Sequence, residues 1–320
     1  MSTAIQTSPV WKASNAPALP AVFRWLNVVI AATAMTATLP GRTHGLGMIT
    51  KPVIDDAGLG ISESDFAVYN LLAILIGSTM VVPVGWLLDR IGPRFVTGAI
   101  SLGLGLAVLA MGFAPSAVVF LAALILVRGL GQGSLSVASI ALVGKSFSRR
   151  VGIAMGVFTI LLSIGFMAST LGLGYAVGEM GWRHAWSGLG WLLIAGMAPL
   201  AWLLSRNDAK ESADIADERD PDRLVADATL GQALATPAFW VWAFGVGLFN
   251  LVWSAVTLFN ETLLLDHGLS RSVFILVMGV LVFTGLPANI FAGWLSQRWS
   301  MSKLLGIGMA VLATSLAGFP

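Results

Sequence analysis

Arg42, Thr43 and His44 follow a Pro40-Gly41 pair, well inside an apolar run that opens near Ala21. A guanidinium in dehydrated surroundings favours an anion, most simply a carboxylate, because it presents a planar fork of charged donors. Proline followed by glycine interrupts a helix and frees backbone groups for a ligand. The competing reading ends the helix near Leu39 and makes Arg42 an ordinary outer-loop residue. His44 has a side chain that titrates near physiological pH, although a lone histidine near an interface is more often merely solvated. A second set, Asn250, Ser254, Thr257 and Glu261, recurs at spacings of 4, 3 and 4, which places it on one helical stripe. Such a stripe can wall a cavity. Its rivals are hydrogen bonding between helices and, for Glu261, simple exposure at the end of a run. Asn289 is a weaker candidate. Arg42, Thr43, His44, Asn250, Ser254, Thr257 and Asn289 form the expected ligand-binding set.

Arg128 lies within another apolar run, in Arg128-Gly129-Leu130-Gly131-Gln132-Gly133. A charge at that depth is costly and marks a functional position by default. Gln132 is its i+4 neighbour and can share its face. Either Arg128 has a functional role, or it bonds backbone carbonyls of a neighbouring helix and fixes packing; the two readings weigh equally. With Glu261, these residues form the expected intramembrane charge set. There is no phosphate-cradling loop, no cluster of metal ligands, no nucleophile elbow and no cysteine. No catalytic residue, metal or cofactor is therefore expected, and no nucleotide-driven pump. The net charge of +2 is too small to suggest nucleic acid.

These residues need a helical membrane frame. Hydrophobic residues make up 57% of the chain and charged residues 11%, against roughly 45–50% and 25% in soluble domains. The surplus is spread over runs of about 20 residues, enough to cross the hydrocarbon as helix. The runs lack the period-2 alternation of barrel strands. Nine spans are predicted, at 22–50, 66–88, 95–114, 117–142, 151–178, 185–204, 238–262, 272–296 and 303–320. Residues 205–236 are polar and read as a linker, with eight acids and four bases. With the N-terminus inside, thirteen lysines and arginines fall on inner segments and four on outer ones, a positive-inside bias. Residues 1–204 then form a six-helix bundle, 205–236 a cytoplasmic linker, and 237–320 the first three helices of a second bundle. Six spans against three predicts a fragment. The fifth span is rich in glycine (Gly152, Gly156, Gly165, Gly172, Gly174, Gly178), which predicts close helix contact there.

One loop occurs twice. Gly85-Trp86-Leu87-Leu88-Asp89-Arg90-Ile91-Gly92-Pro93-Arg94 joins the second and third runs, and Gly293-Trp294-Leu295-Ser296-Gln297-Arg298 recurs 208 residues later. Gly85 is expected to admit a neighbouring helix, and Asp89 to bond to a helix N-terminus. A repeat of this length between apolar spans suggests two related halves.

The first copy closely resembles the loop between the second and third helices of the major facilitator superfamily, and the second copy resembles that family's degraded repeat, with Gln297 in place of the acid. The resemblance implies an all-α membrane protein of two pseudo-symmetric six-helix bundles, with about nine of twelve helices present. It implies alternating access, with Gly85, Asp89, Arg90, Gly92, Arg94, Gly293 and Arg298 as a conformational latch. The partner of Asp89 would be an eleventh helix. The family also places an arginine followed by a Gln-Gly pair on the fourth helix and links it to proton coupling or interhelix bonding. Here Gly131 fills the glutamine slot and Gln132 comes one residue later. The Gly-Pro pair of its drug exporters is absent from the fifth span, which argues against drug export. Thr236-Pro237-Ala238-Phe239-Trp240 looks like the matching segment of oxalate- and monocarboxylate-type members, although proline also simply suits a helix start. The expected partners are a small-molecule substrate, coupled to protons or to a counter-solute, and membrane lipid, with the protein a monomer in the cell inner membrane. A transport-inactive sensor or assembly partner, or a non-functional truncated product, are the competing readings.

Overall fold

Each of the nine apolar runs is helical in the computed structural model, which describes residues 21–147, 151–204, 232, 234–296 and 298–317. The helices are α1 (Val22–Ile54), α2 (Glu63–Arg90), α3 (Pro93–Gly112), α4 (Ala117–Gly144), α5 (Val151–Met180), α6 (Trp182–Leu203), α7 (Pro237–Asp266), α8 (Arg271–Ser296) and α9 (Met301–Ala317). The first seven are long and apolar enough to cross a bilayer. No strand occurs among the described residues. Most of the expected linker, 205–231, lies outside them, as does Gln297.

Local chemistry sets the helix starts. Ser62 and Asp65 form a reciprocal cap in which the Asp65 amide donates to Ser62 Oγ and the Ser62 amide to Asp65 Oδ2, each at 3.1 Å. This begins α2 at Glu63, three residues before the predicted edge. Gly92 precedes α3 with φ +89°, a conformation that favours glycine, and Pro93 fits the first helical turn.

The first span is helical over Ala21–Thr36, tightens into a 3-10 turn at Leu39–Gly41, and resumes as helix over Thr43–Ile54. The reading of Arg42 as an outer-loop residue is therefore corrected: twelve further helical residues follow it. The turn rests on α4. A Cβ on Gly131 would lie 3.1 Å from the Gly41 Cα, and one on Gly41 would strike the Val127 carbonyl. Over Arg128–Leu135 the α4 backbone widens into i→i+5 bonding, a form common at functional sites.

The packing makes α1 central. Its first half lies against α4 and α5, and its second half against α7. Around it α2 packs on α4, α3 on α6 and α5 on α8. Val28, Ala31, Leu46, Ile49, Leu104 and Val127 are among the fully buried apolar side chains at this centre. Residues 21–204 meet α7 and α8 at close range in three places. A Cβ on Gly47 would lie 2.6 Å from the Thr257 carbonyl, one on Gly174 would touch Ile275, and one on Gly279 would press on Leu171. All three lie toward the ends of the helices that carry Asp55, Met180, Asp266 and Arg271.

One expectation about small residues needs correction. Of the six α5 glycines, only Gly165, against Thr36, and Gly174 meet a neighbour; Gly152, Gly156, Gly172 and Gly178 face open space. A Cβ on Gly85 would likewise meet nothing within 4 Å among the described residues.

Candidate functional site

Two arginines sit beside the interruption of α1. Arg128 is 3% exposed. Its Nε donates to Asn70 Oδ1 at 3.0 Å, and its Nη2 donates to the same oxygen. Its Nη1 donates to Gln132 Oε1 at 2.7 Å, to the Gly41 carbonyl at 3.1 Å and to Thr43 Oγ1 at 3.3 Å. One guanidinium thus ties α2, α4 and both sides of the α1 turn. Every acceptor is neutral, so its charge has no counter-ion among these contacts.

Arg42 caps the second half of α1 in an extended conformation. Its Nε donates to Thr38 Oγ1 at 2.7 Å, and its Nη2 to Ser136 Oγ on α4 and to Met35 Sδ, both at 3.1 Å. The guanidinium lies over the Phe166 ring of α5, 5.1 Å from its centroid, a cation–π arrangement. Nη1 has no acceptor among the described residues, and neither arginine meets a carboxylate there. His44 presents its ring edge-on to the same Phe166, at 5.9 Å and 89°. Its Nδ1 is buried without a hydrogen-bond partner. The expectation of a solvated histidine near an interface is therefore corrected: the resumed helix carries His44 inward, against α5.

The α7 stripe divides. Thr257 and Glu261 are buried, while Asn250 is exposed and donates to Val246 of its own turn at 2.8 Å. Ser254 is half-buried. The side chain of Asn289 lies outside the described residues. Exposure of Glu261 is likewise corrected: the second half of α1 covers it, and its Oε1 lies 3.5 Å from Arg271 Nε of α8. Glu261 Oε2 and Arg271 Nη2 are buried without partners. Removing one member of such a pair leaves the other buried and uncompensated. Glu261→Ala is expected to destabilise the protein toward the lower end of about 3–5 kcal/mol, because Arg271 is about one-third exposed. Adding Arg271→Met should restore most of that loss in thermal unfolding in detergent. Equal losses in the single and double variants would place the energy elsewhere.

The loop residues gather at the other ends of the helices. Asp89 is exposed and pairs with Lys145 Nζ at 2.8 Å, and the same ammonium donates to the Leu88 carbonyl at 3.1 Å. Arg90 stacks on Trp86 at 4.3 Å, and Arg94 Nε donates to the Trp202 carbonyl of α6. Arg298 follows α8, while Gly293 falls in its final turns. Asn70, Ser136, Phe166, Lys145 and Arg271 do not stand out in the sequence. Asn70 carries the clearest signal of the five, as an amide inside an apolar run.

Among the described residues no three metal-ligating side chains converge. The family whose model matches the chain is described as the Major Facilitator Superfamily, and the match covers residues 20–320. No curated protein matches the chain.

Proposed function

Because this chain belongs to the Major Facilitator Superfamily, a family of membrane transporters, we propose that it moves a small organic anion across the membrane by alternating access. The observation that carries this reading is Arg42, half-buried at the interruption of a membrane helix, with its Nη1 donors unengaged and no carboxylate partner among the described residues. A carboxylate is the simplest group to complete such a site. The second uncompensated guanidinium, at Arg128, adds positive potential beside it. Thr43 and His44 lie at the same turn, and the Thr257 carbonyl of α7 rests on Gly47, in the helix that resumes after it.

The lysine and arginine distribution supports an orientation with the N-terminus and the linker in the cytoplasm of a cell with an inner membrane. The close contacts between residues 21–204 and α7–α8 cluster toward the opposite side, while Asp89 and Asn250 are exposed. The clustered contacts support a state in which the two parts meet on that opposite side, and Asp89 pairs with Lys145. Glu261 is the candidate for coupling to a proton; exchange against a counter-solute is the other mode.

Flux into liposomes carrying the purified protein tests this reading, using labelled mono- and dicarboxylates beside a neutral sugar and an organic amine. Saturable flux of carboxylates alone is expected. Flux confined to the sugar or the amine would overturn the anion assignment. Saturable carboxylate binding without flux would favour a transport-inactive sensor.

A further inference from the structure

A cavity of about 360 Å³ lies between α1, α5 and α6, beside the Leu39–Gly41 turn. Its volume falls near the lower end of the roughly 300–1,000 Å³ typical of ligand pockets. Leu39 and Pro40 line it from α1, and Leu192 and Gly196 line it from α6. Leu192 is 66% exposed, and Thr33 and Gly196 are exposed as well, so the cavity opens sideways. These residues sit in the middle of helices that cross the membrane. The bilayer interior is therefore what reaches the opening.

The lining chemistry narrows the occupant. No charged side chain faces the cavity, and the Thr33 hydroxyl already donates to the Val29 carbonyl at 2.9 Å. Thr36 and Ser169 add two hydroxyls to an otherwise apolar lining, but neither can neutralise a charge, so a headgroup phosphate or a carboxylate would sit there without a counter-ion. In α6, Leu193–Met197 adopts i→i+5 bonding, and a Cβ at Gly196 would touch only Leu192, at 3.7 Å. The backbone widens and the side chain is missing where the cleft opens. A void there would forfeit dispersion contacts, and helix–lipid association in hydrocarbon rests on packing of this kind.

We propose that this cleft seats one acyl chain of a bilayer phospholipid, packed against the Leu39–Gly41 turn of α1. The turn would then be held at two points, by hydrocarbon at Leu39 and Pro40 and by Arg128 at the Gly41 carbonyl.

The test uses the full chain in phosphatidylcholine vesicles containing a phosphatidylcholine with a mid-chain diazirine. After photolysis, adducts are mapped by peptide mass spectrometry. Segments 33–40 and 189–200 should be labelled several-fold more densely than the exposed face of α2 at Leu71 and Leu75. Gly196→Phe, which fills the opening, should lower that labelling to the α2 level while leaving α2 unchanged; Gly196→Ala should keep it. Wild-type labelling no denser than at α2 would overturn the assignment without any variant, as would full labelling in a properly inserted Gly196→Phe protein. Labelling of the cleft by a photoreactive apolar solute, but not by the lipid probe, would also overturn it, assigning the cleft to membrane-dissolved small molecules. Transport is not measured, so failure here is separate from failure of the anion reading.

Discussion

Arg42→Ala abolishes carboxylate uptake in reconstituted vesicles and leaves membrane insertion and thermal stability near those of the wild type. The Nη1 donors of Arg42 at the helix-1 turn have no acceptor among the described residues, so the substitution removes the proposed ligand contacts directly. A hydrogen bond to a charged group contributes about 1.5–3 kcal/mol. Losing the Nη1 contacts alone therefore lowers affinity by at least about tenfold to a hundredfold. Little structure depends on the side chain. Thr38 Oγ1 already donates to the Met35 carbonyl at 2.6 Å, and the Ser136 hydroxyl can turn toward its own helix. Arg42→Lys keeps the charge but loses the fork, and should fall between the two. Initial uptake rates across a concentration series, normalised to inserted protein, decide the matter. Unchanged uptake in Arg42→Ala sinks Arg42 as the anion ligand; loss of insertion together with uptake makes it a packing residue.

Arg128→Ala has the opposite signature, with stability and uptake falling together. Its guanidinium is buried and joins Asn70, Gln132, Thr43 and the Gly41 carbonyl. Truncation leaves several of these acceptors buried without donors, at roughly 1–3 kcal/mol each. It also detaches the α1 turn from α4. The expected result is a large drop in the detergent unfolding temperature and uptake close to background. Arg128→Lys should fail as well, because one ammonium cannot reproduce donors aimed at α2 and α4 at once. Wild-type stability and uptake in Arg128→Lys would show that charge alone suffices there. The pair of results separates a contact residue from a positioning residue: only the Arg128 variants should move the unfolding temperature.

How much of this is legible in the sequence follows from the range of each interaction. Helices show themselves because bilayer thickness demands long apolar runs. The interruption of α1 shows itself because proline and glycine act on their own backbone. Arg128 and Gln132 share a face through a local repeat, and they bond at 2.7 Å. Partners across helices do not show themselves. Asn70 is one polar residue among several in apolar runs, and only the crossing of α2 on α4 selects it for Arg128. Glu261 stands near the end of its run, which leaves exposure open as a rival to an intramembrane charge; in the fold it is buried, with Arg271 of α8 beside it. Even the shifted glutamine has a physical reason that sequence alone hides. Gly131 must lack a side chain because Gly41 rests on it, and Gln132 then meets Arg128 from one residue further along.

Helix 1 belongs mechanically to two bodies. Its first half is packed on α4 and α5, and its second half on α5 and, through Gly47 and Thr257, on α7. If the two parts rock as the proposed alternating access requires, the α5–α8 contacts must slide, and helix 1 must either shear the Gly47–Thr257 seat or flex over residues 37–42. The second route places Arg42 on the pivot itself. A ligand there would act on a short lever, biasing which way the molecule tilts without touching its distant ends.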